Sequence, residues 1–166
     1  MSERSPAPGG LALVQSLVNT LDIESGADSL DTAEGRARFG LAEEDIPGAR
    51  ELRESLRVAL LAHAGHPPHR AATPLGDLLT ASPLLVTVDA ADGSAGLAPA
   101  DEGPLLSRVA AAIAQALVEG TWSRLKACEA VDCHWAYYDR SPAGRGRWCS
   151  MQVCGARAKM RRYRAR

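Results

Sequence analysis

Leu11, Val14, Leu17, Val18 and Leu21 recur at helical spacing, so the pattern predicts an amphipathic helix just inside the N-terminus. Asp31 or Thr32 is placed to cap a short helix ending near Phe39-Gly40. Asp45-Ile46-Pro47 reads as the start of a long helix, with proline in the first turn. Leu52, Leu56, Val58, Ala59, Leu60 and Leu61 supply its apolar side, and Gly65 and Pro67-Pro68 stop it. A short helix follows Thr73-Pro74 through Leu75, Leu78 and Leu79, and Pro83 ends it. The pattern then changes. Val86-Thr87-Val88 and Gly96-Leu97-Ala98 flank Asp92-Gly93, a hairpin turn signal. Pro104 to Glu119 is the most regular helical stretch, closed by a C-cap glycine at Gly120.

Beyond Gly120 the signals are shorter. His134 to Asp139 alternates like a strand. Pro142 to Gly146 is turn-rich, and Arg147-Trp148-Cys149 returns as the expected second strand. Ser150 is a good N-cap for a last helix running through Tyr163. The predicted fold class is mainly α with a small β-hairpin. An N-terminal helical domain spans 11–120, and a C-terminal β-hairpin/helix module spans 121–166. Residues 1–10, rich in Ser, Pro and Gly, are expected to be a disordered tail.

Composition sharpens this division. The chain has 166 residues and a net charge of −1. Residues 121–166 hold eleven Lys/Arg against three acids, +8, which leaves −9 for residues 1–120. All four cysteines, three tryptophans and three tyrosines also lie after Gly120. Such asymmetry points to a polyanion partner for the basic half. It also allows that half to dock on the acidic one. No apolar run reaches the ~18 residues of a membrane span, and the N-terminus lacks an export pattern, so the expected compartment is the cytoplasm.

The cysteines fall as Cys128-x4-Cys133-x15-Cys149-x4-Cys154. Two close pairs joined by a short spacer suit one tetrahedral structural zinc, each pair giving two thiolates from a tight turn. In a reducing compartment the thiols stay free for metal. A 46-residue segment (121–166) is too small to rely on its own core, so zinc should drive its folding. Loss of a ligand such as Cys154 should then unfold 121–166 and spare the helical half. His134 is an alternative ligand, but it adjoins Cys133, and both would hardly reach one ion. With no open metal position, activated nucleophile or phosphate loop, the chain is not expected to be an enzyme.

Other residues have competing readings. His63, His66 and His69 follow H-x-x-H-x-x-H, but Gly65, Pro67 and Pro68 break the helix that would align them as metal ligands. A solvated loop is the better expectation. Asn19 and Thr20 are a candidate ligand pocket, against local helix-end bonding to backbone. Glu43-Glu44-Asp45 looks like a first-turn acidic cap rather than a catalytic pair.

Particular residues of the last module resemble the bacterial CGNR zinc finger. They are Leu125-Lys126-Ala127-Cys128, Asp132-Cys133, Tyr138-Asp139-Arg140-Ser141, Arg147-Trp148-Cys149-Ser150-Met151, Cys154-Gly155-Ala156-Arg157-Ala158-Lys159 and Tyr163-Arg164. Leu17-Val18-Asn19-Thr20 and the hairpin before the long helix are similar to the ABATE domain that precedes this finger. The resemblance implies a stress-related bacterial transcription regulator. The sequence departs from the pattern at Ala156, where the family's name-giving Asn would stand. Pro142, Ala143 and Gly144 also thin the usual basic stretch.

The expected nucleic-acid-binding residues are Arg140, Arg145 and Arg147 before the last knuckle, with Arg157, Lys159, Arg161, Arg162, Arg164 and Arg166 on the last helix. Arg157, Arg161 and Arg164 share one face at helical spacing, and Met160 and Tyr163 are expected to pack inward. Lys and Arg release counterions from phosphates, and Arg can read guanine edges. Trp135, Tyr137 and Trp148 either stack on bases, which favours RNA or single strands, or build the small core, the preferred reading. The expected function is a DNA-binding regulator whose N-terminal domain senses a small molecule or protein. The alternative is a zinc-stabilised protein-interaction module, or a binder of RNA or single strands, without duplex binding.

Overall fold

The computed structural model describes residues 5–165, and its elements follow the caps read from the sequence. Helix α1 (Leu11–Val18) buries Leu11, Val14, Leu17 and Val18 on one side. A 3-10 turn at Ser29–Asp31, capped by Asp28, leads to α2 (Ala33–Ala37), where the Thr32 hydroxyl accepts from Gly35 N–H. Helix α3 (Ile46–His63) begins with proline in its first turn. The Asp45 carboxylate turns back to accept from Ala42 N–H at 2.8 Å. Short α4 (Leu75–Leu79) follows Pro74.

Strands β1 (Leu84–Val88) and β2 (Ala95–Pro99) pair antiparallel, with Leu84 opposite Pro99 and Val88 opposite Ala95. Gly93 turns the hairpin at φ +73°, a conformation only glycine adopts freely. Helix α5 (Leu105–Val118) ends at Gly120, φ +68°, as its spacing predicts.

Helices α1, α3 and α5 pack around one core, and β2 lies along α5. The entry to α1 approaches α5 so closely that a Cβ on Gly10 would sit 2.8 Å from that of Ala112. Residues 5–10, placed by the sequence in the tail, include Ala7, which is buried and donates its N–H to Gln15 Oε1 at 2.7 Å. No described helix is long and apolar enough to cross a membrane.

The second hairpin corrects the sequence reading. Strand β3 (Leu125–Ala127) pairs antiparallel with β4 (Ala136–Tyr138), and Arg147-Trp148-Cys149 is not a strand. This hairpin lies wholly after Gly120 yet packs on the helices before it. Leu125, Ala127 and Ala136 are fully buried in the same core as α1, α3 and α5. β3 lies on α3 and β4 on α1. The last helix, α6 (Ala156–Arg164), follows a π-helical turn at Met151–Gly155 that starts at Ser150, whose hydroxyl accepts from Val153 N–H.

Candidate metal centre and nucleic-acid interface

The first knuckle grows out of β3. Cys128 N–H donates to Trp135 O at 3.0 Å, and between them the chain turns so that Cys133 N–H reaches Ala130 O at 2.9 Å. His134 completes the turn at φ +45°, the one left-handed non-glycine residue among those described. Its strain is held by three contacts: its N–H donates to Ala130 O at 3.1 Å, its Nδ1 lies 2.9 Å from Cys128 O, and its own carbonyl accepts from Arg57 Nη1. His134 therefore braces the knuckle and is not a ligand. The second knuckle wraps through the π-helical turn, closed by Gly155 N–H on Ser150 O at 2.9 Å. Glu129 N–H on Arg147 O joins the two knuckles.

The four Sγ atoms lie within 4.8 Å of one another, with Cys133 to Cys149 at 3.3 Å and Cys149 to Cys154 at 3.6 Å. Four thiolates around zinc at about 2.3 Å stand about 3.8 Å apart, so the cluster matches that geometry. Without a cation such a nest disfavours thiolates. The hydrogen bond with Cys133 pulls Cys128 down, but the contact with Cys149 and burial outweigh it and push the thiol up to about 12. Contacts with Cys128 and Cys149, and burial, push Cys133 up as well. A divalent ion reverses this balance, since a coordinated thiol is deprotonated outright. The four cysteines fit one structural zinc, and no fifth His, Cys, Asp or Glu joins the group among the described residues. Trp135 and Trp148 pack against this cluster. Tyr137 is buried there, with its hydroxyl donating to Gly146 O at 2.7 Å. The three aromatic residues thus build the small core, as preferred.

The residues expected to touch nucleic acid divide. Arg140 lies over the Tyr138 ring and donates to Pro6 O at 2.7 Å, so it pins the N-terminal segment. Arg147 forms a two-pronged pair with Glu129 and covers Trp148. Arg157 meets both oxygens of Glu24, at 3.1 and 3.2 Å, and Arg161 lies 3.6 Å from Asp132. Arg145, Lys159, Arg162 and Arg164 are exposed and carry no ion pair among the described residues. Arg166 lies outside the described residues. Two further cations of this segment are spent inside. Lys126 pairs with Asp139 at 2.9 Å, and Arg124 donates to Asp139 O and Ser141 O. Met160 and Tyr163, expected inward, are 51% and 77% exposed, so α6 follows the knuckle without an apolar face packed on the core.

The candidate pocket at Asn19 and Thr20 is instead a junction. Asn19 Nδ2 donates to Ala136 O at 2.9 Å, and Ala136 N–H donates to Asn19 Oδ1 at 2.7 Å. The amide thus substitutes for a strand partner on the outer edge of β4. Thr20 Oγ1 donates to Leu17 O and accepts from Arg53. Arg53 and Arg57, both on α3, belong to a buried charged network with Glu54, Asp28 and His69, which the apolar spacing of α3 did not reveal. His63, His66 and His69 do not converge. His63 Nδ1 lies 2.8 Å from Leu125 O, His66 lies near Glu129, and His69 bonds Glu54 at 3.1 Å. The four cysteines are the only potential metal group among the described residues.

These groups make the fold acid-sensitive. Burial holds His63 and His69 below the ordinary imidazole value of 6.5, so the unfolded chain binds their protons more readily. Their contribution to stability is lost as pH falls below about 6.5. Burial would raise Glu54 and Asp28, but their arginine partners outweigh it and hold both carboxyls low. Their stabilisation is present above the ordinary carboxylate range and is lost as pH falls through the lowered values. Stability is expected to be level above neutrality and to fall in two stages on acidification. NMR titration should place both imidazoles below 6.5; a value above it for His63 would show that its burial does not outweigh the bond to Leu125 O, which favours the protonated ring.

A helical domain that shares its core with a knuckle hairpin, and ends in a closed four-cysteine site and a basic helix, defines a zinc-finger protein with a helical N-terminal domain. The sequence model of the CGNR zinc finger matches residues 124–166, and that of ABATE, described as a putative stress-induced transcription regulator, matches residues 11–120. The chain belongs to the ABATE family and carries a CGNR zinc finger at its C-terminal end. No curated protein matches it.

Proposed function

We propose that the chain is a cytoplasmic, zinc-dependent DNA-binding transcription regulator in which α6 and the adjoining turn dock on DNA. The observation that carries this reading is that Arg145 on the preceding loop and Lys159, Arg162 and Arg164 on α6 are exposed and carry no ion pair among the described residues. The pairs Arg157–Glu24 and Arg161–Asp132 are exposed. Exposed pairs contribute only about 0–1 kcal/mol, so both arginines can exchange a carboxylate for a phosphate at small cost. With Asn19 and Thr20 spent in the junction, the helical domain is better suited to sensing a protein partner than a small molecule. The exposed β1 residues Leu85, Val86 and Val88 favour that choice. A pure interaction module is the second reading, supported by the finger hairpin being built into the helical core.

Salt titration of the zinc-loaded protein on random-sequence duplex tests the proposal. Binding should weaken steeply with salt. Replacing Arg157, Arg161 and Arg164 together with Ala should lower the log–log slope by about 2.7 units, at about 0.9 per phosphate contact. An unchanged slope would remove those residues from the interface, and no binding at low salt would favour the interaction module.

A further inference from the structure

The side of α6 that carries Arg157, Arg161 and Arg164 is not purely cationic. Those three line an open groove of about 480 Å³ whose floor is Val153, Ala156 and Met160. Val153 and Met160 are 49% and 51% exposed, and Ala156 is exposed. Helical geometry, about 100° per residue, sets Ala156 and Met160 side by side with Arg164 and Arg157 next to them. Phosphate binding alone needs no such floor, because a solvated cation suffices.

We propose that this groove reads thymine: the C5-methyl groups exposed in the major groove of duplex DNA pack on Val153, Ala156 and Met160 while the three arginines hold the flanking phosphates. The proposal rests on α6 being a DNA-binding element. Duplex DNA is the polyanion that presents small apolar groups between two rows of phosphates, in a groove about 12 Å wide that admits a helix. RNA lacks the methyl, and its deep, narrow major groove excludes side chains. A lipid surface fits less well. Trp135 and Trp148, the residues suited to a membrane interface, pack on the cysteine cluster instead of this face. Alanine at position 156 suits this reading, because an amide there would prefer an adenine edge.

The test compares the full-length, zinc-loaded chain on a labelled A·T-rich duplex and on the same duplex with every thymine replaced by uracil. The thymine duplex should bind about fourfold more tightly for each methyl buried, from about 0.8 kcal/mol per apolar carbon, with equal salt slopes. Met160→Gln should abolish the difference and leave the slope unchanged. Zinc stoichiometry checks that the variant folds, and Ala156→Asn serves as the second variant. Equal affinity for the two duplexes overturns thymine reading but not DNA binding. A preference that persists in both variants overturns it too, because the methyls would then act through duplex stiffness. Tighter binding to phosphatidylserine vesicles than to either duplex, or no binding to either duplex, overturns the DNA-binding reading along with it.

Discussion

Removing the zinc, by chelation or by Cys154→Ala, is expected to unfold more than the finger. From the sequence alone the module after Gly120 looks separable, and a lost ligand should leave the helices intact. The structure packs the hairpin of that module onto the helices. Leu125, Ala127 and Ala136 are fully buried in the core of α1, α3 and α5, and Cys128 follows β3 directly. Once the knuckles open, β3 and β4 lose the cross-link that fixes their register, and the core loses one wall. Structural zinc contributes on the order of 10–16 kcal/mol in small finger modules. That is comparable to the total stability of an ordinary domain, about 5–15 kcal/mol. The helical half should therefore melt with the finger, in one transition at a much lower temperature. Circular dichroism of α-helix content during chelation checks this. Helix content that persists at the native level after full zinc release would show that the helical domain stands alone.

How much was legible in the sequence follows from how local each feature is. The helices were readable because their ends carry local chemistry, such as Thr32 capping α2 and Gly120 closing α5. The metal centre was readable because x4 gaps and a Ser150 cap impose the two turns whatever surrounds them. The pairing of the second hairpin was not. β3 is three residues long and buried on both faces, so it shows no alternation to detect. Arg147-Trp148-Cys149 follows a turn-rich stretch and so reads as a returning strand, but Trp148 and Cys149 belong to the cysteine cluster. The partners of Asn19 and Arg140 lie more than a hundred residues away in sequence, beyond any local signal. Met160 reads as an inward residue by its chemistry. It is exposed on a helix that follows the knuckle without an apolar face packed on the core.

Arg57 is the residue whose loss should damage the fold most after the zinc ligands. It is fully buried, and it lies where α1, α3 and the first knuckle meet. Its Nη2 donates to Val18 O at 2.9 Å, at the end of α1. Its Nη1 donates to His134 O at 3.1 Å, and its Nε to Glu54 at 3.3 Å. Burial pulls its pKa below the usual guanidinium value, and the carboxylate of Glu54 opposes that pull. Arg57→Met keeps most of the aliphatic volume and removes every donor. Two carbonyls are then left buried without this partner, and the left-handed His134 loses one of its three restraints. Breaking a buried charged pair by removing one member costs about 3–5 kcal/mol. Glu54 keeps Arg53 and His69, which places the expected loss toward the lower end of that range. Urea unfolding of the zinc-loaded variant measures it. The carbonyl of His134 also ties this residue to the metal, so zinc affinity should fall along with stability. A variant that loses stability but holds zinc as tightly as the parent would show that Arg57 serves the helices alone. A loss below about 1 kcal/mol would show that water replaces the guanidinium in the junction.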